Sequence, residues 1–266
     1  MIILPNKEYN DFDNEKIATY QFLAKVGCPV FKSVLFEEEE KLTNEKIFML
    51  KDTLNSDYCT IRYQYVKPCI NPIRGGNKSK IDLLELENKK VPGTQMWLLQ
   101  PIDRTKNIYG INMSINKNLN SFIIECVGRG FDVSDINRGD VTPHEIISID
   151  YPIEMGWQNE WWKFIKLSLV NKKQFDIDKI IRLNKLKKFG LEPQKEIFDE
   201  NFIPMDYSLI DSLINYIKLV DEQWDKSNEY TVSISMNSDG KLVFWDIQTP
   251  QGKSKILRRV KWYLYQ

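Results

Sequence analysis

Tyr230-Thr-Val-Ser-Ile-Ser-Met236, Asn237-Ser-Asp-Gly240, and then Leu242-Val-Phe-Trp-Asp-Ile-Gln248 form the stretch on which the fold turns. Two runs of β-branched and aromatic residues, separated by four turn formers, read as a β-hairpin, Tyr230–Met236 with Leu242–Ile247. Asp246 and Gln248 stand two apart at its end, so the pleat turns both side chains to one face. A pair of oxygen-bearing side chains suits magnesium, a hard cation that takes oxygen ligands and keeps several waters. Any edge strand with a polar face gives the same alternation, so the pair is a candidate and no more on spacing alone.

Upstream, Leu209, Ile210, Leu213, Ile214, Ile217, Val220 and Trp224 recur at helical spacing after Asp206. This predicts an amphipathic helix whose apolar stripe packs on the body. Residues 155–226 as a whole read as mainly helical. Strands are expected over Met96–Ile102, Tyr109–Ile115 and Ser121–Val127, and earlier over Val34–Phe36 and Tyr58–Val66. A helix ahead of Gly27 and another near 43–54, capped by Thr43, complete the pattern. Residues 67–80 and Gly128–Pro143 read as loops, Glu37–Glu40 as a solvated acidic run, and Lys253–Tyr265 as a basic-aromatic tail packed on the body.

At 266 residues, with about 150 per domain as the norm, the chain makes one large domain or two interlocked ones. Hydrophobic residues make up 42% and aromatic residues 12%, which is enough for a sizeable core and excludes a disordered chain. Basic and acidic residues balance at 37 each. That argues against a coat for nucleic acid or anionic membrane, which needs a concentrated positive field; a protein partner stays open. No run approaches the roughly 18–20 apolar residues of a membrane span. Cys28, Cys59, Cys69 and Cys126 form no C-x-x-C pair and have only His144 to help them, so no structural zinc site or disulfide framework is expected. The chain reads as cytoplasmic.

Familiar catalytic sets are missing: the sequence has no G-x-x-x-x-G-K-[ST] phosphate loop, no G-x-G-x-x-G after a strand and no G-x-S-x-G elbow. His144, alone in Thr142-Pro-His-Glu145, reads as structural or merely exposed. Arg74, Gly75, Gly76, Asn77, Lys78 and Ser79 follow a strand and offer backbone N–H groups and cations to a phosphate; an ordinary surface loop has the same composition. Arg62, inside an apolar strand, must face solvent, a partner or an anionic ligand, because an unpaired buried charge is too costly.

Taken in order, these segments resemble the ATP-grasp superfamily, and within it the ATP-binding domain of phosphoenolpyruvate synthase and pyruvate phosphate dikinase. Lys16-Ile-Ala-Thr-Tyr-Gln-Phe-Leu23 and Gly27-Cys-Pro-Val-Phe31 stand where that domain has a Lys-bearing helix and a Gly-x-Pro-Val-Pro turn. Thr60-Ile-Arg-Tyr63 is similar to its Val-Arg-Ser-Ser strand, and Leu98-Leu-Gln-Pro-Ile102 to its adenine hinge. Tyr109-Gly-Ile-Asn-Met113, Gly128-Arg-Gly-Phe131, Arg138–Pro143 and Asp246-Ile-Gln-Thr-Pro250 follow in the family's order.

The resemblance implies an α+β fold of two subdomains with mainly antiparallel sheets gripping a nucleotide between them. Residues 1–95 would form the first, 96–252 the second, and 253–266 the tail. It implies ATP and Mg2+ as cofactors. Lys16 and Arg62 would contact phosphates, and the loop carrying Arg74, Gly75, Gly76 and Lys78 would cover them. The backbone around Gln100 and Ile102 would meet adenine, and Asp246 and Gln248 would hold the magnesium, with Arg62 and Asp246 as the catalytic pair. The implied activity is that of a ligase activating a carboxylate as an acyl phosphate, or of a phosphotransferase, toward an unidentified small-molecule acceptor. Three departures stand out. Asp13-Asn14-Glu15 replaces the glycines before the first Lys, the closing Arg is absent, and Ser233 or Ser235 occupies the place of a metal carboxylate. The rival reading is a non-catalytic ATP-grasp-like module that binds nucleotide or a protein.

Overall fold

The computed structural model describes residues 1–6, 15–65, 77–100, 107–119, 121–137, 139–150, 165–170, 177, 180 and 202–249. The chain divides into two units, residues 1–25 with 30–102 and residues 26–29 with 103–266. Each is built on one antiparallel sheet with helices packed against it, an α+β architecture.

The first unit contains β1 (Ile2–Leu4), α1 (Glu15–Lys25), β2 (Ser33–Phe36), α2 (Asn44–Leu54), β3 (Tyr58–Tyr65), β4 (Asn77–Lys80), α3 (Leu83–Glu87) and β5 (Thr94–Leu99). Its strands lie in the order β1-β2-β5-β3-β4. All four residues of β2 are buried because the sheet is covered on both faces, which is why this strand reads as an unbroken apolar run. On one face Val34, Phe36, Cys59, Ile61, Met96 and Leu98 pack with Ile47, Leu50 and Leu54 of α2. On the other, Leu35, Trp97 and Leu99 pack with Ile17 and Tyr20 of α1. The expected Thr43 cap forms, its Oγ1 accepting the Lys46 N–H at 3.3 Å. Glu37–Glu40 lies mostly in solvent, as a charge run does, yet Glu40 pairs with Lys46 and Glu37 accepts from the Gln95 amide, tying this turn to β5.

Two expectations change here. The subdomain boundary placed at 95/96 falls inside β5, a strand hydrogen-bonded along its length to β2 and β3, and the first unit runs to Ile102. Residues 77–80, read as loop, form the edge strand β4, in register from Tyr58↔Lys80 to Ile61↔Asn77. Asn-Lys-Ser-Lys carries no β-propensity, but lysines on an edge strand discourage pairing with another chain.

The second unit contains β6 (Asn107–Asn116), β7 (Ser121–Val127), α4 (Val133–Asn137), β8 (Glu145–Asp150), β9 (Ile165–Val170), α5 (Tyr207–Gln223), β10 (Glu229–Asn237) and β11 (Leu242–Gln248), with strand order β11-β10-β6-β7-β8-β9. The closing hairpin is therefore β10–β11, as read. β9 is a strand inside the range 155–226 that reads as mainly helical: Ile165-Lys-Leu-Ser-Leu-Val170 alternates with period two, the mark of a strand. The helix after Asp206 forms as read, its first turn closed by Asp206 Oδ1 accepting the Leu209 N–H at 2.8 Å. Ile210, Leu213, Ile214, Ile217 and Val220 are its buried stripe. The Tyr216 ring meets Phe244 at 5.2 Å and Trp224 meets Tyr230 at 5.9 Å. The buried Tyr230 hydroxyl donates to Asp221 Oδ1 at 2.7 Å, and Lys117 pairs with the same carboxylate at 3.2 Å, so α5 is fastened to the sheet by a polar staple as well as an apolar stripe.

No helix among the described residues is long and apolar enough to cross a membrane. Cys28, Cys59 and Cys126 are free and buried. Burial pushes the Cys28 and Cys59 thiols up to about 12 and Cys126 well above the usual range. Because the thiolate is the reactive form, all three are expected to resist iodoacetamide at pH 8 in the folded protein and to react fully in denaturant. Peptide mapping by mass spectrometry reads this directly, and modification of Cys59 or Cys126 in the folded chain would contradict the packing described.

Candidate functional site

On β3, Cys59, Ile61 and Tyr63 point to the α2 face, so Thr60, Arg62 and Gln64 stand on the other. Directly across from Arg62 is Trp97 of β5, and across from Thr60 is Lys78 of β4. Lys78 and Arg62 are thus diagonal neighbours on one face, a relation that places Cβ atoms about 7–8 Å apart or somewhat less. Trp97 is held by its indole N–H donating to Ser33 Oγ at 2.8 Å and by the edge of Tyr20 at 5.4 Å. Arg62 is half-buried, and among the described residues none accepts a hydrogen bond from it or pairs with it. Lys16 is exposed on α1, the helix packed on this same face. Three of the expected phosphate contacts, Lys16, Arg62 and Lys78, therefore share one side of the first sheet. Lys78 reaches it from a strand, where a flexible loop was expected. Gln100 is half-buried immediately after β5. Arg74, Gly75, Gly76 and Ile102 lie outside the described residues, as does the tail.

The second sheet has one apolar face and one polar face. Register lines Asp246 of β11 up with Ser233 of β10, Ser233 with Asn112 of β6, and Asn112 with Glu125 of β7, four strands in a row. All four side chains are buried. One step along, Gln248, Thr231 and Ser114 form a parallel row, with Ser114 Oγ and Thr231 Oγ1 sharing a hydrogen bond at 2.8 Å. The Gln248 amide lies 3.4 and 3.5 Å from the two Asp246 oxygens, so the expected pair does share a face. A bulge between Ser233 and Ile234 leaves Trp245 unpaired in the register and keeps Asp246 opposite Ser233.

Of the two serines, Ser233 faces Asp246, whereas Ser235 faces Val243 and accepts the Trp245 indole N–H at 3.0 Å. Ser233 is fully engaged. Its hydroxyl donates to Asn112 Oδ1 at 3.1 Å and accepts from Asn137 Nδ2 at 3.3 Å, while Asn112 Nδ2 donates to Asn137 Oδ1 at 2.8 Å. This closed triad holds α4 on the polar face, and α4 approaches β6 so closely because Gly110 has no side chain. The segment leading to α4 is packed at both ends. The Gly128 N–H donates to His144 Nδ1 at 3.0 Å, and the fully buried imidazole lies between the rings of Phe131 and Phe202. His144 is thus structural, not merely exposed.

Asn112, Glu125, Asn137 and Thr231 were not singled out from sequence. Their signal was present in part: Asn112-x-Ser-x-Asn116 and Thr231-x-Ser-x-Ser235 place a polar residue at every second position of otherwise apolar strands, the pattern of a sheet with one polar face. Among the described residues no group of three His, Cys, Asp or Glu side chains is gathered to hold a metal ion. The donor set at Asp246 is one carboxylate, one amide and neighbouring hydroxyls. That fits a single magnesium that keeps most of its waters, provided the Gln248 amide turns its oxygen toward the ion.

No family model and no curated protein matches the chain. Solved structures similar to it include D-alanine–D-alanine ligase from Bacillus anthracis complexed with ATP, at 11% identity and a TM-score of 0.46 over 94% of this chain and 59% of that one. D-alanyl-alanine synthetase A from Vibrio cholerae gives 9% identity and 0.45 over 91% and 56%. N5-carboxyaminoimidazole synthetase from Staphylococcus aureus gives 9% and 0.42 over 90% and 45%. The chain thus spans between 45% and 59% of the length of these three proteins.

Proposed function

We propose that the chain binds Mg-ATP and is an ATP-dependent ligase of the ATP-grasp kind that activates a carboxylate. The observation that carries this reading is the buried Asp246 carboxylate with Gln248 beside it on the polar face of a sheet. Arg62 and Lys78, diagonal neighbours on the first sheet, support it. In this reading Lys16, Arg62 and Lys78 take phosphate oxygens, and Arg74, Gly75 and Gly76 add N–H groups and charge. The backbone at Gln100 and Ile102 meets the base, and Asp246 and Gln248 hold the magnesium. When bound, the ion neutralises charge on the phosphates being separated.

The chain's own residues supply position and charge. Among the described residues no anion pairs with Arg62, and in this reading its guanidinium takes a phosphoryl group and stabilises the charge that builds on that group's equatorial oxygens. An acceptor carboxylate oxygen attacks the γ-phosphorus, the bond to the β,γ-bridging oxygen breaks, and ADP leaves. A nucleophile such as an amine then attacks the acyl phosphate carbon, releases inorganic phosphate and gives up its proton. The resemblance to phosphoenolpyruvate synthase and pyruvate phosphate dikinase favours a variant, phosphotransfer to a small molecule, and a cytoplasmic setting goes with either. Ser233, committed to its triad where a second carboxylate would serve catalysis, favours a different reading: a module that binds nucleotide, or a protein, without turning it over.

Thermal unfolding with Mg-ATP decides whether nucleotide binds. A ligand at about 100 times its Kd adds roughly 2.7 kcal/mol, and the Arg62→Ala protein is expected to lose most of that shift. Incubation with Mg-ATP, a panel of carboxylic acids and hydroxylamine separates the two readings, because an acyl phosphate is trapped as a hydroxamate with equimolar ADP. Binding without hydroxamate or ADP from any acid would leave the module, and no shift at millimolar nucleotide would remove both nucleotide readings.

A further inference from the structure

We propose that the polar face of the second sheet takes one divalent cation per chain and that Ser233 sets this number; the inference rests on the Mg-ATP reading and specifies its metal site. Two-metal phosphoryl-transfer sites place ions about 3.5–4 Å apart, which calls for carboxylates on neighbouring positions to share the charge. On adjacent strands the neighbouring position is the residue directly opposite, at about 4.5–5.5 Å between Cβ atoms. Opposite Asp246 that residue is Ser233. Its hydroxyl proton is given to Asn112, and it accepts the Asn137 amide.

Moving Ser233 toward an ion would break a network in which both asparagine amides are also engaged, leaving buried polar groups unmatched at about 1–3 kcal/mol each. The next carboxylate along the row, Glu125, is three strands from Asp246. At about 4.8 Å per strand it is too far to share an ion with it. Thr231 and Ser114, the other close oxygens, are neutral and bonded to each other. Among the described residues one anion stands at this position, and one anion supports one ion, with the remaining positions filled by water and phosphate.

The test is equilibrium dialysis of Mn2+ with the full chain and a saturating non-hydrolysable ATP analogue, the chain-bound ion being the Mn2+ retained above the free and analogue-bound level on the other side. The wild-type chain is expected to bind one Mn2+, and Asp246→Asn to lose it. Ser233→Asp is expected to bind two, since it places a second carboxylate across from the first. Two ions on the wild-type chain, or none, would overturn the proposal. So would one ion that survives Asp246→Asn. Because Ser233→Asp disturbs the triad, its fold is checked by near-ultraviolet circular dichroism, and Ser233→Ala serves beside it: the alanine chain must still bind one Mn2+ if the hydroxyl is no ligand. The analogue's own binding, followed by thermal shift in EDTA, is read separately. Absent nucleotide binding thus counts against the Mg-ATP reading, and a wrong ion count with nucleotide bound counts against this inference alone.

Discussion

The Asp246→Ala chain is expected to keep its fold and to lose the magnesium-dependent part of its stabilisation by ATP. At about 100 times Kd, ligand adds roughly 2.7 kcal/mol to the wild-type chain. That is some 5–10 °C at the 2–4 °C per kcal/mol typical of domains of 150–250 residues. Asp246 stands on β11, an edge strand of the second sheet, and takes no part in the Asn112–Asn137–Ser233 triad, so removing it leaves that network whole. Its hydrogen-bond partner, Gln248, is half-buried and can turn to solvent. Losing a buried carboxylate also removes its desolvation cost, so the unliganded midpoint should move little. The expected signature is specific. Wild type shifts more with Mg-ATP than with ATP in EDTA, Asp246→Ala shows the EDTA value in both, and Arg62→Ala falls in both. An Asp246→Ala chain that still gains from magnesium would sink the assignment of the metal to this residue.

How much of this was legible in the sequence depended on whether one strand's chemistry was enough to show it. The hairpin, the helix after Asp206 and the Thr43 cap were legible because each is specified locally by period, turn and cap. Asp246 and Gln248 sharing a face followed from strand periodicity alone. Four things were not legible. β4 was missed because Asn77-Lys-Ser-Lys80 becomes a strand only through its pairing with β3, a tertiary override of propensity. That Asp246 faces a serine at all depends on a bulge that shifts register by one residue; without it the residue opposite would be Val232, because a one-residue shift exchanges the two faces of a strand. The polar row from Asp246 to Glu125 draws on four strands spread over residues 107–248, so no local pattern could assemble it. Asn137 was the hardest of all: it sits on a five-residue helix inside a segment that reads as a glycine-punctuated loop.

Gly110→Val is expected to be the most damaging single substitution at the candidate site. A Cβ at Gly110 would lie 2.5 Å from the Val133 amide nitrogen and 2.8 Å from the Asp132 carbonyl carbon. Both are backbone atoms, so no rotamer change relieves the overlap and α4 must lift. That segment cannot lift freely. The Asp132 N–H donates to Asp135 Oδ2 at 2.9 Å, the Ser134 N–H donates to Asp132 Oδ1 at 2.8 Å, and Asn137 closes the triad with Asn112 and Ser233. Overpacking costs about 1–3 kcal/mol where side chains can adjust, and a backbone overlap with a bulkier residue belongs at or above the top of that range. Gly110→Ala should already cost about as much as a poorly tolerated core insertion. Gly139 is the control: its φ of +71° makes alanine strained, yet among the described residues nothing lies within 4 Å of its Cβ. Gly139→Ala should therefore cost only the left-handed penalty of about 1–2 kcal/mol. Urea unfolding of the three chains tests the ranking. A double-mutant cycle then tests its cause, because residues acting through one element do not add. Asn137→Ala should destabilise the wild-type chain clearly and the Gly110→Ala chain much less, since there the latch has already been pulled from the sheet. Full additivity would mean that α4 is not what Gly110 makes room for.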